Sequence, residues 1–180
     1  MFQLVLNLGL YGSGVILIRE AIVRWNKAWA TVLLLGAAYG ILEEGIALST
    51  LYNPLAGPVG KLGYYGHYLG VNWIWVAGIL PVHMIFSIAL PIILLGLALP
   101  ETKGKSLVVS KRGIASAFVI LCIDVSVLFL LVTFDEHFWM GWPVLISSFI
   151  AMGILIKVAK RAPADLLHSR TSAPKISTNS

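Results

Sequence analysis

Residues 69–99, LGVNWIWVAGILPVHMIFSIALPIILLGLAL, contain one ionisable side chain, His83, and otherwise only apolar or weakly polar residues. A crossing of the bilayer core needs about 20 predominantly apolar residues. A segment like this cannot be housed in a water-soluble domain of ordinary size. Four further apolar runs accompany it, so the chain reads as an all-α, polytopic membrane protein with about five transmembrane helices. Spans are expected at about 2–18, 28–50, 76–99, 114–134 and 142–160, in one helical domain covering 1–160. The first part of 69–99 is excess for one crossing, which predicts a re-entrant or interfacial segment around 60–75. Composition agrees: 58% of the 180 residues are hydrophobic and 12% charged, against about 45–50% and about 25% in soluble domains.

Orientation follows from the cations, because Lys and Arg collect on the cytoplasmic side of membrane proteins. All but Lys61 of the 13 Lys and Arg residues fall in the 19–27 connection, the 100–113 connection, or from Lys157 onward. Five spans then place the N-terminus outside and the C-terminus inside, in a multi-pass protein of the cell membrane. The net charge of +5 reflects topology, not a nucleic-acid partner, since no basic patch with interleaved aromatics accompanies it. The first run lacks a basic n-region and an A-x-A site, so no cleavable signal is expected. A first span that starts outside leaves room for a preceding helix beyond this chain. The polar 161–180 segment reads as a disordered cytoplasmic tail. Tyr64, Tyr65, Tyr68, Trp73 and Trp75, with Phe138, Trp139 and Trp142, sit where interfacial belt residues are expected. Cys122, alone in an apolar run, reads as a small buried residue, with no disulfide framework to join.

Ionisable groups within a span cost about 2.5–3.5 kcal/mol each on insertion scales, so they face protein or water and often mark function. Glu43, Glu44, His83 and Asp124 are the candidates. At 1.5 Å per residue, the two glutamates and His83 share one level, about 10 Å below the outer ends of their spans. Gly36, Gly40 and Glu44 repeat at i, i+4, i+8 and make a small-residue stripe along which another helix can approach closely. His83 and Ser87 share a face, and Pro81 and Pro91 loosen the helix on either side by removing backbone donors. A neutral acid beside a carboxylate and an imidazole is a general acid–base set. The same group could hold a cation or pass protons. It could also be a hydrogen-bonded knot that orients two helices. Asp124, perhaps a partner of Ser126 or of a neighbouring helix, reads as structural. His67 is a secondary site candidate at the outer interface; His137 and His168 read as solvated. The sequence assigns neither cofactor nor metal, and besides the lipid bilayer it allows a homo-oligomer or a partner membrane subunit.

Glu43-Glu44 followed by an intramembrane His resembles the CAAX-protease and bacteriocin-processing family of intramembrane glutamate proteases. That family shows Glu-Glu-x-x-x-Arg, Phe-x-x-x-His and a later His-x-x-x-Asn. Here Leu48 stands at the Arg position, Gly63 stands four residues before His67, and His83-x-x-x-Ser87 approximates the third motif. The resemblance implies a hydrolytic site in which Glu43 or Glu44 activates water and His83 steadies the oxyanion. Across residues 14–113, the pattern ILIREA…AYGILEEG…GVNW…VHMIFSIALPI is more similar to a group of uncharacterised prokaryotic membrane proteins, which implies no activity. PETKGKS at 100–106 resembles a sugar-porter signature, but those carriers have twelve spans, and here it reads as a Pro-stopped basic turn. YGSG at 11–14 lacks the pattern of a phosphate loop.

Overall fold

A computed structural model describes residues 2–108 and 110–164. Five helices are long and apolar enough to cross a membrane: α1, Gln3–Trp25; α2, Trp29–Ala47; α3, Trp73–Ala98; α4, Lys111–Asp135; and α5, Trp142–Arg161. The first helix continues past residue 18 into its basic end, and the third begins at Trp73. Residues 165–180, with His168 and most of the expected tail, lie outside the described residues.

Local chemistry sets the helix ends. Asn26 takes a left-handed conformation (φ 50°), and the Lys27 N–H turns back to the Ile22 carbonyl at 3.0 Å, closing α1. Asn72 caps α3 by accepting from the Trp75 N–H at 3.0 Å, and Ser110 caps α4 by accepting from Gly113 N–H. Pro143 sits in the first turn of α5, where its missing donor costs nothing.

Helix α2 is the centre of the bundle. Of its apolar window 72% is buried, against 39% for α1 and 11–17% for the other three. The outward faces of α3, α4 and α5 are therefore surfaces for lipid, and the core gathers around α2 with Leu10, Val32, Leu35, Tyr39, Ile88 and Leu121. The expected small-residue stripe is real. A Cβ on Gly36 would meet the Met84 backbone of α3, and one on Gly40 would meet Leu80 and His83. Helices pack this closely in membranes where small residues admit a neighbouring backbone.

Two ends of the bundle differ in chemistry. At one end Arg19 donates to the carbonyls of Thr102 (2.7 Å) and Lys105 (3.0 Å), and Lys27 donates to the Ala162 carbonyl at 2.7 Å. The three basic stretches thus meet on one side. At the other end residues 48–72 form an irregular cap with a short 3-10 turn at Gly60–Tyr64 and a two-residue antiparallel ladder pairing His67 with Asn72. Asn53 donates to Glu136 at 2.6 Å and Tyr52 bonds Ser148 at 2.6 Å, tying the cap to α4 and α5. Tyr64, Tyr65, Tyr68 and Trp73 are exposed there, and Trp139 packs edge-on against Phe129 and Trp142.

Two local expectations are corrected. Cys122 is exposed on the outer face of α4, because Ala117, Leu121 and Asp124 are the α4 residues that turn inward. Ser126 does not meet Asp124; it donates to the Cys122 carbonyl one turn back, while Asp124 faces Gly9 of α1.

Candidate acid–base site

The segment Ile41–Ala47, which carries both glutamates, is π-helical, and so is His83–Ala89 on α3. In each the backbone bond spans five residues: Leu48 N–H reaches the Glu43 carbonyl at 2.8 Å, and Leu90 N–H reaches that of Ile85. π-Helical turns are rare, geometrically inferior to α, and concentrated at functional sites. Two of them meet here through their side chains.

The wider turns let three ionisable side chains converge. The His83 imidazole lies between the acids, with Nε2 3.0 Å from Glu44 Oε1 and Nδ1 3.2 Å from Glu43 Oε2. Ser87 Oγ, one turn along α3, is 3.2 Å from the same Nδ1. All three are buried, with relative exposures of 3% for Glu43, 7% for Glu44 and 3% for His83.

The two carboxylates are served unequally. Glu44 bonds His83 through one oxygen and accepts from the Thr50 hydroxyl through the other. Thr50 in turn accepts from the Trp75 indole N–H at 3.2 Å. Glu43 accepts from the Tyr11 hydroxyl on Oε1, but its buried Oε2 has no well-aligned hydrogen bond. Oε2 approaches His83 Nδ1, the ring nitrogen that also bonds Ser87, at 3.2 Å. The buried Tyr39 hydroxyl and Asp124 Oδ2 also lack partners. Tyr39 packs beside Tyr11 (ring centroids 6.2 Å apart) and His83 (6.1 Å).

Charge is unbalanced as well. Two carboxylates and one imidazole leave a net negative charge even when the ring is doubly protonated, unless an acid takes a proton or a cation enters. The donor set of two carboxylates and an imidazole suits a divalent metal such as Zn²⁺ or Mn²⁺. Ligand atoms from the three residues come within 4.8 Å of one another. Zinc–ligand bonds of about 2.0–2.2 Å hold ligand atoms no more than about 4.4 Å apart. With one acid at each ring nitrogen, a single ion would need the imidazole to turn before it met all three.

The structure therefore brings together Glu43, Glu44, His83 and Ser87. It leaves His67 exposed in the ladder of the cap and His137 exposed in the 136–141 connection; neither bonds to this group. Sequence reasoning overlooked Tyr11 and Thr50, which hold the carboxylates, and Trp75, which holds Thr50. A phenol amid glycines in GLYGSG was a usable signal for Tyr11. Thr50 had none, because it reaches Glu44 only through the π-helical turn and the bend at Ser49 (φ 56°).

No curated protein and no solved structure is significantly similar to the chain. One family model does match, over residues 1–172, nearly the full length including all five helices and the Glu-Glu-His group. The chain belongs to this uncharacterised membrane protein family.

Proposed function

We propose that Glu43, Glu44 and His83 form an intramembrane acid–base site that hydrolyses a peptide or lipid acyl bond, with Glu43 as the base. The observation that carries this reading is the unequal service of the two acids, which share one π-helical turn. Glu44 is fully bonded and fixes the imidazole, as a carboxylate does for a catalytic His. Glu43 keeps a buried oxygen open, as a base that must accept a proton needs to.

In such a reaction Glu43 Oε2 takes a proton from water as the water oxygen attacks the acyl carbon. The negative charge that develops on the carbonyl oxygen is met by N–H from His83. Collapse of the tetrahedral intermediate breaks the acyl bond, and the proton on Glu43 passes to the departing nitrogen or oxygen. The hydroxyl of water ends on the acyl product and its proton on the leaving group. Thr50 and Trp75 belong to or adjoin the cap over the site, so a substrate gains access when that cap shifts. The likeness of Glu43-Glu44 and His83-x-x-x-Ser87 to the intramembrane glutamate proteases supports the same class, although Leu48 replaces their Arg. The basic end is assigned to the cytoplasm by its cations, which puts the cap and the site in the outer half of a cell membrane.

The test is reconstitution of the full chain in liposomes with a membrane-anchored peptide library, products being read by mass spectrometry. Glu43→Gln should cut product formation by about a hundredfold or more, the scale of general acid–base catalysis. Equal products from wild type and Glu43→Gln would refute the assignment of the base. A second reading, a proton- or cation-coupled carrier, is favoured by the burial and excess negative charge of the group. It predicts no cleavage, but a pH-dependent flux into dye-loaded vesicles that Glu43→Gln removes.

A further inference from the structure

The basic end of the bundle contains a cavity of about 410 Å³, set between the α1–α2 turn, the second half of α3 and the loop that follows α3. Its wall is apolar, with Val32 of α2 and Ile92, Ile93 and Leu97 of α3. Its rim carries Lys27 and Lys103, and Arg19 lies behind them; among the described residues no Asp or Glu lines it. Glu20, the acid next in sequence to Arg19, is buried and held by the N–H groups of Leu107 and Val108, by Ser106 and by Arg24, so it cannot neutralise the rim.

The two lysines are differently placed. Lys27 uses one of its three donors on the Ala162 carbonyl. Lys103 lays its aliphatic stem over Gly96. Its ammonium pairs with no carboxylate among the described residues. Trp29 stands at the same rim, 38% exposed, at the depth where indoles settle among headgroups. Ile93 and Leu97 continue from the cavity onto the exposed face of α3, so the apolar wall opens onto the surface that lipid covers.

We propose that this cavity binds a phospholipid with an anionic headgroup. One acyl chain lies along Ile92, Ile93 and Leu97, and the phosphate is held between Lys27 and Lys103. Cations that pair with no acid among the described residues, above an apolar channel, are complementary to that molecule, and basic pockets between transmembrane helices bind anionic headgroups in this way. The site is independent of the acid–base group at the other half of the bundle.

Native mass spectrometry of the full-length protein, titrated with phosphatidylglycerol or with phosphatidylcholine of the same chains, tests this directly. Wild type should bind phosphatidylglycerol at least tenfold more tightly, since each lysine near a headgroup contributes roughly fivefold (~1 kcal/mol). Lys103→Ala, which removes an exposed side chain without hydrogen-bond partners, should lower that preference about fivefold. Lys27→Ala with Lys103→Ala should bring the two lipids close to parity. Equal binding of both lipids to wild type, or a preference that survives the double substitution, would overturn the proposal. Displacement of phosphatidylglycerol by millimolar inorganic phosphate would also overturn it, because the site would then read a free anion and not a lipid.

Discussion

Two buried charged groups occupy opposite halves of the bundle, and they are built on different plans. Around Glu20, two guanidiniums, a hydroxyl and two backbone N–H groups surround one carboxylate. Arg19 directs Nη2 to the Thr102 and Lys105 carbonyls. Every oxygen is served, positive charge exceeds negative, and the acid itself sits on regular α-helix. Around His83, negative charge exceeds positive, one carboxylate oxygen is left open, and both contributing segments are π-helical. A group that only fastens the fold has no reason to keep a buried acceptor open. The first group is a clamp that fastens the 102–108 loop to α1; the second leaves the open acceptor that the proposed acid–base role requires.

Substitutions can break or sharpen this contrast. The largest effect is expected from Glu20→Ala, which takes the carboxylate from buried Arg19 and leaves the Leu107 and Val108 N–H groups unpaired; removing one partner of a buried ion pair costs about 3–5 kcal/mol. Thermal melting in detergent should show it, together with faster proteolysis in 102–108. A melting point equal to wild type would mean the clamp is decorative. Gly36→Leu comes next. Its side chain would enter the Met84 backbone, and overpacking of that kind costs about 1–3 kcal/mol. Because it pushes α3 off α2, it should disturb the Glu-His-Glu group while leaving the Arg19–Glu20 clamp intact, which disulfide trapping across α2 and α3 can follow. Glu44→Gln should cost about 1–3 kcal/mol, because it unpairs Thr50 or His83 in a buried setting. Ser87→Ala should be the mildest, about 0.5–1.5 kcal/mol for one lost hydrogen bond, with a larger effect on turnover than on melting.

Much of the fold was legible because lipid imposes simple rules. Long apolar runs had to become helices, and the twelve clustered cations had to share an end, where the structure indeed unites Arg19, Lys27 and their partners. The Gly36–Gly40 stripe announced close packing, and the meeting of Glu43, Glu44 and His83 followed from depth and helix period. What escaped detection depends on departures from that period. A reading at 3.6 residues per turn cannot show that Ile41–Ala47 and His83–Ala89 widen to π-helix, and so could not give one ring nitrogen to each acid. Nor could it tell that α1 supplies Tyr11 to Glu43, since one sequence does not say which helices touch. For Asp124 the sequence left Ser126 and a neighbouring helix open, and only the structure shows that it faces Gly9 of α1.

The most direct measurement compares the melting temperatures of Glu43→Gln and Glu20→Gln in the same detergent. If Glu43 is held open for chemistry, Glu43→Gln should melt within about 3 °C of wild type, while Glu20→Gln should melt lower by about 6 °C or more, taking ~2–4 °C per kcal/mol for a chain of this size. If Glu43→Gln melts as low as Glu20→Gln, the two groups are alike, and the paired glutamates are fastenings between helices and not a site.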